Sequence, residues 1–242
     1  MTLLASLAVT LVVWAVSMIR SLRWRALVYG LPLPITVVLL ATPVAVDGGQ
    51  LLGLVALNAF FSVVTVVHHR LGRHIVVADL AGIAVYLALG LLTARWGPVP
   101  FWPVLGAVTV LWACVTLRLP PPHRDARAQP PPSTLLAAVK LGTVFSAALL
   151  IVALGGLLKG LIVTFPYSGV LVVLESRDQL AGFSRHFARN SISLVAYFTA
   201  YHLLQDHSQP LALTAAWAAF TAVLLTLHLP PAHHRGRGHE HA

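Results

Sequence analysis

The chain has 242 residues, 58% of them hydrophobic and 10% charged, with a formal net charge of +9 and a mean hydropathy of +0.84. A soluble domain carries about 25% charged residues, so this chain lacks the polar surface to coat a water-soluble globule. An ordinary cytosolic enzyme, a disordered protein and a disulfide scaffold are excluded. The single Cys114 also rules out an internal disulfide, a CxxC redox pair and a multi-cysteine metal site. Basic residues fall in short loops between apolar stretches, where they report orientation in a membrane rather than nucleic-acid binding. Arg greatly outnumbers Lys, as in the proteins of GC-rich bacteria.

At roughly 20 residues per span, the length predicts an all-α integral membrane protein of about nine transmembrane helices. The first apolar stretch, Thr2–Ile19, is followed by Arg20, Arg23 and Arg25. That charge order is the reverse of a secretory signal peptide, so it reads as a retained helix with its N-terminus outside. Apolar stretches follow at Ala26–Val46, Gln50–Val67, Ile75–Ala94 and Phe101–Leu117. After a Pro-rich linker come Leu135–Leu158, Gly160–Leu174, Ser191–Leu204 and Leu211–Leu229, and a His/Arg-rich tail that reads as disordered. The organisation is then an extra helix in 1–25, one four-helix unit in 26–118, a linker in 119–133, a second unit in 134–229 and the tail in 230–242. Alternate loops hold thirteen of the sixteen Lys and Arg residues, which places those loops and the C-terminus in the cytoplasm of a bacterial inner membrane.

An internal repeat underlies this division. Thr116-Leu-Arg-Leu-Pro-Pro-Pro-His-Arg closes the fifth stretch, and Thr226-Leu-His-Leu-Pro-Pro-Ala-His-His closes the ninth. Arg73-His74 precedes the fourth stretch, Arg185-His186 the eighth, and Tyr86 matches Tyr197. The pattern predicts a tandem parallel repeat of a four-helix unit, with a pseudo-two-fold axis along the membrane normal. A competing match of Pro34 with Pro166 implies inverted repeats and covers fewer residues.

The run Lys159-Gly-Leu-Ile-Val-Thr-Phe-Pro-Tyr-Ser-Gly169, followed by the Arg-containing helix from Phe183 to Tyr201, resembles the GlpM-like family of small bacterial inner-membrane proteins. The resemblance is carried mainly by residues 159–204, and the first repeat lacks the Phe-Pro. It implies membrane architecture and names no activity.

Few residues here have chemistry to offer. Asp79 lies inside the fourth stretch, and a carboxylate at the centre of a membrane helix costs about 2.5–3.5 kcal/mol on insertion scales. It reads either as a proton- or cation-coupling group or as an interface residue paired with Arg73 or His74. Its repeat counterpart is Asn190. Arg73, His74, Arg185, His186 and Arg189 mark the cytoplasmic ends of two related helices. They suit a clamp for a phosphate or carboxylate, or plain orientation signals against lipid headgroups. His202 and Asp206 are spaced to share a helix face, as a pH-sensitive gate or a helix-end hydrogen bond. Pro32, Pro34 and Pro166 interrupt apolar stretches, as the broken helices that line transporter cavities do, or as simple kinks.

Enzyme motifs and cofactor signatures are mostly absent; His74 to Asp79 has an acyltransferase-like H-x4-D spacing of the kind chance readily produces, and the tail residues His233, His234, His239 and His241 suit loose transition-metal binding or plain solvation. The bilayer is the expected surrounding, with a small anionic or protonatable solute as ligand and either a second copy or a partner subunit compatible with the pattern. The leading expectation is a small-molecule permease or exporter. A non-catalytic membrane subunit or assembly factor is the alternative, and an intramembrane enzyme acting on a lipid-linked substrate the third.

Overall fold

The computed structural model describes residues 30–41, 44–95, 97, 99–118, 163–166, 169–170, 173–174, 177 and 180–228. The expected helices at 2–19 and 135–158, the linker and the tail lie outside them. Within them the chain forms six α-helices and no strand: α1 Leu33–Ala41, α2 Gly48–Thr65, α3 Ile75–Ala94, α4 Phe101–Arg118, α5 Leu180–Leu204 and α6 Gln209–His228. Among the described residues, four segments are long and apolar enough to cross a membrane: α2 with its following turn, Gly48–Arg70, then Ile75–Thr93, Phe101–Arg118 and Gln209–His228.

The helix ends follow local chemistry. Asp47 caps α2, accepting from Gly49 N at 2.7 Å, while Gln50 Oε1 accepts from Asp47 N at 2.6 Å. This reciprocal pair satisfies two otherwise orphaned donors. At its far end α2 widens into a π-helical turn, Val66–Arg70, closed by Leu71 N donating to Val66 O at 3.1 Å. Gly72 then takes a left-handed φ of 62°, a conformation that costs glycine little, and His74 starts α3.

Two expected boundaries move. The apolar stretch 26–46 is not one helix through its described part: α1 ends at Ala41, and residues 44–47 are non-helical before α2 begins. The eighth helix begins at Leu180 rather than at 191, so most of the expected cytoplasmic loop 176–189 is helical. Arg185 and Arg189 are compatible with this because long cationic side chains can lie along a helix and keep their heads in a polar layer.

His202, near the end of α5, reaches Val46 just before α2 at 2.6 Å. The end of α5 therefore meets the start of α2, and α3 runs parallel to α5 with α2 antiparallel to both. α2 packs against α3, α4 and α5, and α6 packs against α5. The core lies between α2 and α5. Phe61 meets Phe183 and Phe187 with centroids 5.2 and 4.8 Å apart. α4 and α6 sit outside, with 11% and 17% of their spans buried against protein, compared with 39% for the α2 span, so they present most of their apolar surface outward.

Candidate functional site

The two ends of the bundle differ in charge. The π turn, the start of α3, the end of α4 and the first half of α5 share one end, which carries Arg70, Arg73, Arg118, Arg185 and Arg189. The other end carries Arg95 with Asp47 and Asp206. Within the described residues the Arg-His pairs of α3 and α5 thus share the basic end.

They do not converge into one clamp. Arg73 is exposed, and its carbonyl receives His68 Nδ1 at 2.9 Å. His74 is the N-cap of α3, its ring accepting from Val76 N at 3.4 Å. Arg185 donates its Nε to Ala181 O on its own helix at 3.2 Å. His186 and Asn190 are half-buried and Arg189 is exposed. The helix α2, packed against both α3 and α5, stands between the two sets.

Asp79 occupies the second turn of α3 and is 6% exposed. Its Oδ1 is enclosed without a hydrogen-bond partner, and no ion pair joins it to Arg73 or His74 among the described residues. The expected pairing with those neighbours is absent. The expected His202–Asp206 contact is absent too, because α5 ends at Leu204 and the chain turns through 205–207. His202 stacks on Phe101 instead, with centroids 3.8 Å apart.

The prolines take two roles. Pro32 and Pro34 stand at the first turn of α1, where a missing N–H costs nothing, and Pro32 O accepts from Thr36 N at 2.8 Å. Around Pro166 the backbone leaves helical geometry: Val163–Thr164 form a 3₁₀ turn, and Phe165–Pro166 are irregular.

Both broken segments are fastened by a buried tyrosine. Tyr86 of α3 bonds Thr164 at 3.0 Å and Tyr197 of α5 bonds Thr36 at 2.9 Å; both rings are 0% exposed. Thr36 Oγ1 donates to Pro32 O at 2.7 Å, which uses its one hydrogen. Tyr197 is therefore the donor to Thr36, alongside Trp217 Nε1 at 3.1 Å. This knot joins α1, α5 and α6.

Reasoning from the sequence missed Trp112, whose Nε1 reaches the carbonyls of Ala188 and Arg189 at 3.1 and 3.2 Å, and Ser193, which is 0% exposed and whose Oγ has no partner. A polar residue recurring every fourth position through α5 was the available signal. The outer seam of α5 and α6 also carries an open apolar groove of 360 Å³, lined by residues such as Ile192, Ala196, Ala219 and Val223; none of the expected site residues lines it. No family model matches the chain, and no curated protein or solved structure is significantly similar to it.

Proposed function

We propose that this chain is a permease or exporter of a small anionic or protonatable solute in a bacterial inner membrane, with its basic end toward the cytoplasm. The observation that carries the reading is Asp79: an enclosed carboxylate whose Oδ1 lacks a partner, inside a helix that is otherwise long and apolar enough to span a membrane. Keeping a carboxylate there is expensive, and intramembrane acids pair, coordinate or carry protons. The clustering of Arg at one end supports the orientation by the positive-inside rule. The parallel course of α3 and α5, with a buried Tyr–Thr bond on each, supports reading the molecule as two copies of one four-helix unit. The likeness of residues 159–204 to GlpM-like membrane proteins is compatible with this architecture.

The test is untargeted metabolite profiling of a deletion strain complemented with wild type or with Asp79→Asn. The reading expects one solute to accumulate on one side of the membrane, reversed by wild type and at least tenfold less by Asp79→Asn at equal membrane abundance. An unchanged metabolome with loss of a membrane complex assigns the chain as a subunit. Loss of a lipid modification assigns it as an enzyme.

A further inference from the structure

Helix α5 runs through the bundle but falls outside the segments apolar enough to cross a membrane. Polar side chains lower its apolarity, and six of them form one row. Arg185, Arg189, Ser193, Tyr197, Tyr201 and Gln205 recur every four residues, a ridge of neighbouring positions that winds round the helix by about 40° per step. The ridge runs from the basic end to the opposite end.

Its far half is closed by hydrogen bonds. Gln205 accepts from Val46 N at 2.7 Å and donates to Val46 O at 3.1 Å. Tyr201 bonds the side chain of Gln209, whose Nε2 donates to Leu39 O at 2.8 Å. Tyr197 donates to Thr36. Next along the ridge, Ser193 is completely buried and unpaired. Helical hydroxyls usually fold back on the carbonyl four residues earlier, as Ser62, Thr65, Thr109 and Thr199 do here. For Ser193 that carbonyl belongs to Arg189 and already receives the indole N–H of Trp112. The hydroxyl is left with a donor to offer, one turn inside the exposed Arg189.

Resting on the permease reading above, we propose that this ridge of α5 is the path of a small organic anion, closed in this state by the Tyr197–Thr36–Trp217 knot. Arg185 and Arg189 supply positive charge at its mouth, Ser193 supplies the first buried donor, and the ridge carries no acid to repel an anion. Breaking the Tyr197–Thr36 bond frees a second donor and extends the path toward Tyr201.

The test is thiol accessibility in inside-out vesicles of a Cys114→Ala background. Ser193→Cys, Tyr201→Cys and the off-ridge control Leu194→Cys, itself 3% exposed, are treated with anionic and with cationic methanethiosulfonate reagents. The proposal expects the anionic reagent to modify Ser193→Cys at least tenfold faster than Leu194→Cys, and several-fold faster than the cationic reagent does. Adding Arg189→Gln should remove that charge preference, and adding Tyr197→Phe should speed modification of Tyr201→Cys. If Ser193→Cys does not insert, Tyr201→Cys with Tyr197→Phe carries the same comparison. Ridge cysteines as inert as Leu194→Cys, or labelled as fast by the cationic reagent, overturn the proposal and leave the ridge as interhelical glue. Inert cysteines beside a real transport phenotype refute the path alone. Labelled cysteines with no change in any solute refute the permease reading alone.

Discussion

Helices α3 and α5 run parallel, each centred on a fully buried tyrosine bonded to a threonine, yet they are built from opposite materials. Stepping by four from Tyr86 along α3 gives Ala78, Gly82, Gly90 and Ala94; the same steps from Tyr197 along α5 give Arg189, Ser193, Tyr201 and Gln205. The small ridge lets α3 sit close on α2. A Cβ built on Gly82 would lie 2.5 Å from Val64 Cγ2 and 2.8 Å from Phe60 Cδ2, and a Cβ built on Gly169 would lie 3.1 Å from Phe60 Cε1. In lipid, close approach of backbones replaces the hydrophobic driving force. The polar ridge instead fastens α5 by directional bonds. On the proposed path, one helix is a fixed wall and the other a surface that trades its bonds for bonds to a solute.

The sharpest way to break this comparison is to add one methyl to the wall. Gly82→Ala must displace Phe60 or Val64, neither of which has room to give, and we expect a loss of about 1–3 kcal/mol, the usual cost of overpacking a core. Unfolding in bicelles measures it. Removing one oxygen from the polar helix should matter less. Tyr197→Phe leaves Thr36 its bond from Trp217, so its cost should be about 0.6 kcal/mol and at most about 1.7, the range found for interhelical hydrogen bonds in membranes. The smallest effect has the opposite sign: Ser193→Ala deletes an unpaired buried hydroxyl and should stabilise by up to about 1 kcal/mol, while solute handling falls. A stability loss in Ser193→Ala would mean that the hydroxyl has a structural partner and that the two helices differ less than the account requires.

How much of this was legible beforehand varies by helix, for physical reasons. The limits of α3, α4 and α6 stand within a residue or two of the apolar stretches because each is uniformly apolar and bounded by Arg, His or Pro. The start of α5 lies eleven residues before the apolar stretch, at 180 rather than 191, because Arg185, His186 and Arg189 lower the average apolarity of a segment that is helical all the same. The same averaging hid the ridge, since a polar residue every fourth position looks like diluted hydrophobicity unless its period is counted. Asp79 stood out as a lone acid in an apolar run. Its lack of a partner did not, because that depends on where α2 and the chain beyond it come to rest. The Thr36–Tyr197 knot joins residues 161 positions apart, a pairing that no local pattern encodes.

Backbone hydrogen exchange in lipid nanodiscs tests the central contrast most directly. The wall at 78–90 and the ridge at 189–201 are both helical, and the ridge segment is the more buried of the two, so burial alone gives the ridge at least equal protection. If the ridge of α5 exchanges its side-chain bonds with water and solute, peptides covering 189–201 will exchange at least tenfold faster than those covering 78–90. Equal protection of the two helices, or faster exchange in α3, would contradict the account.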